Sequence, residues 1–157
     1  MIIAIDPGVT GAIACQDDQG RVWVDDMPVT IGDIWEYFNS LTVPFQGVQE
    51  AKCYLENVGG YRKGNAGPSS VKFSRHVGHL EMALYAAGIP TTKVSPVTWM
   101  KGIGVPKFTG TPQRQKTLRK NWIRDYAQRY FPSLKIKVSQ GDALGMLAYV
   151  LKREVKP

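Results

Sequence analysis

Three carboxylates stand in places where a carboxylate is unexpected. Asp6 ends the apolar run MIIAID, Glu56 lies near the end of AKCYLENV, and Asp142 follows Gly141 at the head of an apolar segment. A buried carboxylate is costly without a partner. Three that converge would repel one another and bind protons more tightly than usual. A divalent cation relieves that repulsion, and an all-oxygen set suits Mg²⁺, with Mn²⁺ as a substitute. One such ion polarises a phosphodiester, and two about 4 Å apart stabilise both the attacking and the leaving oxygen. Each acid taken alone has an ordinary explanation. Asp142 would favour a helix N-terminus, Glu56 could pair with a lysine, and Asp6 before Pro7-Gly8 could form a turn. The trio, in this order, is what points to phosphoryl chemistry.

The surrounding pattern says how these acids would be positioned. MIIAID reads as a buried strand, broken by Pro7-Gly8. Thr10–Gln16 and Arg21–Asp25 read as two further strands, separated by the turn residues Asp17-Asp18-Gln19-Gly20. Together they predict an antiparallel meander. Ile31, Ile34, Trp35, Phe38 and Leu41 have helical spacing, and Ala51–Val58 predicts a strand carrying Glu56. Gly59–Ser70 is a glycine-rich loop by composition, followed by a helix over Val71–Ala87 with Val77, Leu80, Leu84 and Ala87 on one stripe. Thr91–Val94 predicts a strand. Ser95-Pro96 opens a short helix through Met100, and Gly102–Gly110 reads as a second flexible stretch. Pro112–Phe131 predicts a long helix with Leu118, Trp122, Tyr126 and Tyr130 facing the core and Lys116, Lys120 and Arg124 opposite. A last helix is expected from about Asp142 to Lys152. The order βββ-α-β-α-β-α-α-α is that of a mixed α/β protein.

Composition sets the bounds. The chain has 157 residues, enough for one domain over 1–157 with its own core. At 43% apolar and 21% charged it is ordinary for a globular protein. No apolar run approaches the roughly 20 residues of a membrane span, and no leader-like segment precedes the first strand. Cys15 and Cys53 are too few for a disulfide framework or a metal cluster, so a reducing, cytoplasmic setting is expected. The net charge of +7 is unevenly divided. Residues 1–60 hold two basic and nine acidic residues, a balance of −7; residues 61–157 hold 18 basic and four acidic, a balance of +14. Such asymmetry suggests an anionic partner, nucleic acid first.

With these residues in view, the sequence resembles a known family. IAIDPGVTGAIA (Ile3–Ala14) looks like the first-strand motif of the RuvC-type Holliday-junction resolvases, which are ribonuclease H-like nucleases. YLENV (Tyr54–Val58) resembles their second acidic strand, and GDALGMLAYV (Gly141–Val150) their final helix. VSPVTWMKGIGV (Val94–Val105) is similar to the stretch before their basic helix, as found in resolvases of phage type. The resemblance spans nearly the whole chain. It implies a ribonuclease H-like α/β fold, a five-stranded mixed sheet in order 3-2-1-4-5 flanked by helices. It implies Asp6, Glu56 and Asp142 as catalytic, metal-binding residues, and a homodimer in a bacterial or phage-infected cell that nicks two strands of a four-way DNA junction. One departure stands out. The family's fourth acidic ligand, about one helical turn before the last Asp, falls here on Ser139, and no acid lies between Asp125 and Asp142. Either the second ion is held more by substrate and water, or Ser139 or Gln140 gives a neutral oxygen, or catalysis is weakened.

Candidates for phosphate contact are Arg62 and Lys63 in the glycine-rich loop, Lys72 and Arg75 beyond it, and Arg114, Lys116, Arg119 and Lys120 on the long helix. Tyr61 could stack on an exposed base. Lys101 and Lys107 could reach a scissile phosphate and stabilise developing charge. His76 and His79 lack zinc partners at a fitting spacing and read as helix surface or interface. Three other readings stay open. One is a non-catalytic junction-binding protein on the same fold. Another is a ribonuclease H-like nuclease acting on forks, flaps or RNA–DNA hybrids. Asp6–Gly11 also fits the phosphate loop of sugar kinases and actin-like ATPases, whose nucleotide site needs two such domains.

Overall fold

The computed structural model describes residues 1–42, 50–58 and 67–154. Strands β1 (Ile2–Asp6), β2 (Ala12–Gln16) and β3 (Val22–Asp26) form the meander, followed by α1 (Ile31–Thr42) and β4 (Lys52–Glu56). Then come α2 (Pro68–Ala86), β5 (Thr91–Val94), α3 (Pro96–Ile103), α4 (Pro112–Tyr130), a 3₁₀ turn at Val138–Gln140 and α5 (Gly141–Glu154). The sheet order is β3-β2-β1-β4-β5, as expected. β1 and β3 pair antiparallel with β2, while β1–β4 and β4–β5 are parallel. Asp17 fixes the β2–β3 hairpin, its Oδ1 accepting from the backbone N–H of Gln19 and Arg21 at 2.9 and 2.8 Å. Among the described residues, no helix is long and apolar enough to cross a membrane.

Alternation along β1 divides the core in two. Ile3 and Ile5 join Ile13, Cys15, Phe38, Leu80 and Leu84 in one apolar layer. Ala4 points the other way and joins Ala12, Ala14, Trp99, Ile123, Leu144 and Leu147. Alanines on that face let α5 lie close to the sheet, and Gly141 and Ala143 through Leu151 are all buried. Gly145 brings α5 tight against its neighbours, since a Cβ there would meet Ile123 Cγ2 at 2.9 Å and Trp99 Cζ3 at 3.1 Å.

Several boundaries differ from the sequence reading. α2 begins at Pro68, so Pro68, Ser69 and Ser70 are helix rather than loop; proline at the first helical position needs no N–H partner. Residues 59–66 of that predicted loop, including Tyr61, Arg62 and Lys63, lie outside the described residues. α3 runs on to Ile103 and stops at Gly104, whose φ of 82° is the left-handed cap that glycine favours.

The faces of α4 are also corrected. Ile123 and Ala127 are its buried residues, Trp122 and Tyr126 are half-buried, and Leu118 and Tyr130 are exposed. The residues expected opposite the core, Lys120 and Arg124, are half-buried as well, and the Cβ position of Gly141 lies 3.2 Å from the Arg124 backbone. The cause is geometric. At 3.6 residues per turn, a row spaced by four advances about 40° at each step. Four aromatic or aliphatic positions therefore wind partly around the helix and cannot all face one core. Trp122, Tyr126 and Tyr130 instead stack on one another, with the Lys152 ammonium over the last two rings.

Candidate active site

Parallel pairing of β1 with β4 sets Ile5 beside Leu55, which leaves Asp6 and Glu56 adjacent at the ends of their strands. Both side chains fall on the α5 face. Asp6 is two residues from Ala4 and Glu56 two from Tyr54, and Ala4 and Tyr54 pack in that layer. Asp142 enters from the first turn of α5. The chain leaves β1 toward β2 on one side and β4 toward β5 on the other, so the acids stand at the sheet's switch point, where ligands of open α/β sheets bind.

Local sequence holds Asp6 in place. The turn after it closes through Gly11 N–H donating to the Gly8 carbonyl at 2.9 Å. A Cβ on Gly11 would sit 2.0 Å from the Asp6 carbonyl oxygen, so only glycine fits there. Glu56 is 9% exposed, and its Oε1 accepts from the Trp99 indole at 2.8 Å. Ser95 caps α3, accepting from the Thr98 backbone N–H, and so sets the helix that carries this tryptophan.

Electrostatics bind the trio into one unit. Burial, reinforced by the charges of Asp142 and Glu56, pushes the Asp6 carboxyl up to about 8, and Asp6 and Glu56 are hydrogen-bonded to each other. Burial also raises Glu56; the Trp99 hydrogen bond opposes this, Asp142 adds to it, and Arg119 and Lys120 counter it. Lys120 Nζ lies 3.4 Å from Asp142 Oδ2. Asp142 Oδ1 and Arg119 Nε have no hydrogen-bond partner among the described residues.

The donor set is therefore one of hard oxygens, with a spare Asp142 oxygen and an Asp6 carboxyl of raised proton affinity. That chemistry fits a divalent cation. The side chains do not stand as a closed cage: among the described residues, no three His, Cys, Asp or Glu groups are arranged to hold one ion. The Lys120 ammonium beside Asp142 takes up part of the negative charge.

The remaining sequence candidates fall at several places. Arg119 and Lys120 face the carboxylates. Lys72 and Arg75 are exposed in the first two turns of α2, and Arg114 and Lys116 in the first two turns of α4. Lys101 and Lys107 are exposed, and the cations that bear most on Asp6 and Glu56 are Lys120 and Arg119. Gln140 gives no oxygen to the site. It is buried, its Oε1 accepts from Lys137 N–H at 3.1 Å, and its Nε2 donates to Asp26 Oδ1 at 2.9 Å. His76 is half-buried, and burial and the neighbouring His79 lower its proton affinity. Sequence reasoning missed Trp99 as a partner of Glu56. The signal was a tryptophan inside a short capped helix, since a buried indole N–H seeks an acceptor.

An open cleft of about 270 Å³ borders Glu56, between α2 and β5, with Asn57, Phe73 and Lys93 on its walls. A larger hollow of about 410 Å³ lies between β5 and the end of α5 and includes none of the three carboxylates. The smaller cleft includes neither Asp6 nor Asp142 and is walled by α2, which packs on the other face of the sheet.

No protein-family model matches this sequence, and no curated protein matches it. Solved structures do. The Thermus thermophilus RuvC structure superposes with a TM-score of 0.56 at 15% identity, covering 98% of this chain and 96% of that one. T. thermophilus RuvC in complex with Holliday junction substrate gives a TM-score of 0.59 at 13% identity, over 97% and 95%. End to end, this chain has the ribonuclease H-like fold of RuvC, with Asp6, Glu56 and Asp142 gathered at its switch point.

Proposed function

We propose that this protein is a metal-dependent endonuclease that resolves four-way or related branched DNA junctions by paired phosphodiester nicking. The observation that carries the reading is the convergence of Asp6 and Glu56, at adjacent strand ends of a RuvC-like fold, with Asp142 at the start of α5, beside Lys120 and Arg119. A protein of that fold binds Holliday junction substrate.

In this reading Asp6, Glu56 and Asp142 would hold Mg²⁺, or Mn²⁺ in its place, and the cation would supply Lewis acidity toward the scissile phosphate and the attacking water. The chain's own residues do the rest. Trp99 fixes the Glu56 carboxylate, and the glycine turn after β1 fixes Asp6. Lys101 and Lys107 reach toward the phosphate. Lys72, Arg75, Arg114, Lys116 and Arg119 neutralise the backbone, with Arg62 and Lys63, while Tyr61 stacks on an unpaired base. Binding of this kind falls steeply with salt. The resemblance also implies two ions, and Gln140, committed to Lys137 and Asp26, gives no oxygen to a second.

Paired nicking needs two copies of the site. α2 offers a surface for a homodimer: Val71, Met82 and Tyr85 are exposed, and the Cβ position of Gly78 between them opens on empty space. Apolar residues spaced along one helix face in this way suit a second copy of the same helix.

A second reading rests on the Lys120–Asp142 pair and the raised proton affinity of Asp6. If Lys120 stays on Asp142 and Asp6 stays protonated, the protein binds junctions without cutting them. A substrate panel separates the readings. A synthetic four-way junction, a matched duplex and an RNA–DNA hybrid are incubated with Mg²⁺, Mn²⁺ or EDTA. Cation-dependent nicks in the junction alone support the proposal. Tight junction binding without nicks supports the second reading, and cleavage of the hybrid alone supports a different nuclease.

A further inference from the structure

The Lys120 side chain reaches into the carboxylate site from α4. Its Nζ is 3.4 Å from Asp142 Oδ2, and it is 30% exposed against 13% for the Asp142 side chain. Close packing of the two helices enforces this approach, because Gly141 lies against the Arg124 backbone. No acid occupies the turn before Asp142, where Ser139 stands, and Gln140 is committed to Asp26 and Lys137.

We propose that Lys120 takes the place of a second divalent cation, so that each site holds one ion and one ammonium. This rests on the metal-dependent reading above. The charges support it. Cation binding requires the three carboxylates to be ionised, and with the Lys120 ammonium they then leave two negative charges, which one divalent cation neutralises. Arg119, which also bears on Glu56, then faces the single negative charge of a bound phosphodiester. Two divalent cations would leave an excess of positive charge in a partly buried site, which is unfavourable. A fourth carboxylate in place of the lysine would restore the balance for two ions. The ammonium has three donors and no geometric demand on its ligands, so it can follow a phosphate oxygen as charge moves.

The test is the number of Mn²⁺ ions bound per chain, counted by electron paramagnetic resonance of the free ion during titration of the intact protein. Wild type and Lys120→Arg should bind one. Lys120→Gln with Ser139→Asp, whose four carboxylates balance two ions, should bind two. Melting curves report whether each variant folds, and the wild-type count decides even if the double variant does not. Two ions in wild type, or one in the folded double variant, would overturn the proposal. Junction cleavage is scored in parallel. Cleavage with two ions overturns this inference alone, one ion without cleavage overturns the resolvase activity alone, and no bound Mn²⁺ overturns both.

Discussion

The Trp99 indole donates a 2.8 Å hydrogen bond to Glu56 Oε1, linking α3 to the end of β4. Both groups are buried, so the bond does two things. It satisfies the indole, and it holds one carboxylate in a fixed orientation while its charge is masked. Replacing Trp99 by Phe keeps an aromatic ring and removes the donor. A hydrogen bond to a charged group is worth about 1.5–3 kcal/mol, and an unsatisfied buried carboxylate raises the loss. Trp99→Phe should lower unfolding stability by about that amount in urea titration and weaken divalent-cation binding. Unchanged stability and binding would show that Glu56 is oriented by something else.

Asp6 gives the metal-free protein a pH dependence of known sign. Its carboxyl titrates near 8 when folded against 3.8 ordinarily, because it is buried beside Asp142 and Glu56. The folded state therefore binds more protons than the unfolded one between those values. Stability is greatest below the lower value and is lost as pH rises toward 8. Melting temperature in EDTA should fall from pH 5 to pH 8, and Asp6→Asn should flatten most of that slope. A wild-type curve that rises across this range would contradict the burial of the trio.

Gly145 lets α5 approach α3 and α4. A Cβ there would meet Ile123 at 2.9 Å and Trp99 at 3.1 Å, and both neighbours are fully buried. Gly145→Val should destabilise by about 1–3 kcal/mol, the usual range for overpacking. Its effect should extend to Glu56 through the displaced indole, so cation affinity should fall too. Chemical denaturation and Mn²⁺ titration measure the two effects.

How far the residues declared this arrangement in advance can be judged from the same elements. The apolar runs ending at Asp6 and Glu56 and the turn at Asp17–Gly20 were legible, because strand alternation and turn chemistry are local. So was the sheet order, through the motif resemblance. What the sequence concealed was tertiary. A row spaced by four on α4 reads as a core stripe, yet its drift around the helix puts Ile123 and Ala127 inside and turns Lys120 toward Asp142. Lys120 looked like a phosphate contact because its neighbour in space is 22 residues away in sequence. Trp99 likewise became visible only when α3 met β4.

The exposed residues of α2 predict the assembly. Met82 is 61% exposed and Tyr85 80%, both large for positions facing water. Wild type should sediment as a dimer at tens of micromolar. Met82→Asp should give a folded monomer that makes single nicks without pairing them. A wild-type monomer would remove α2 as the dimer face.

The central claim is that the Asp6–Glu56–Asp142 site cuts both strands of a four-way junction. A supercoiled plasmid extruding a cruciform tests it directly, because paired nicks across the junction yield linear DNA while unpaired nicks yield open circles. Wild type with Mg²⁺ should produce linear plasmid whose ends map symmetrically to the cruciform base. Asp142→Asn should bind the cruciform with similar affinity and produce none. Linear product from Asp142→Asn, or none from wild type with Mg²⁺ or Mn²⁺, would contradict the account.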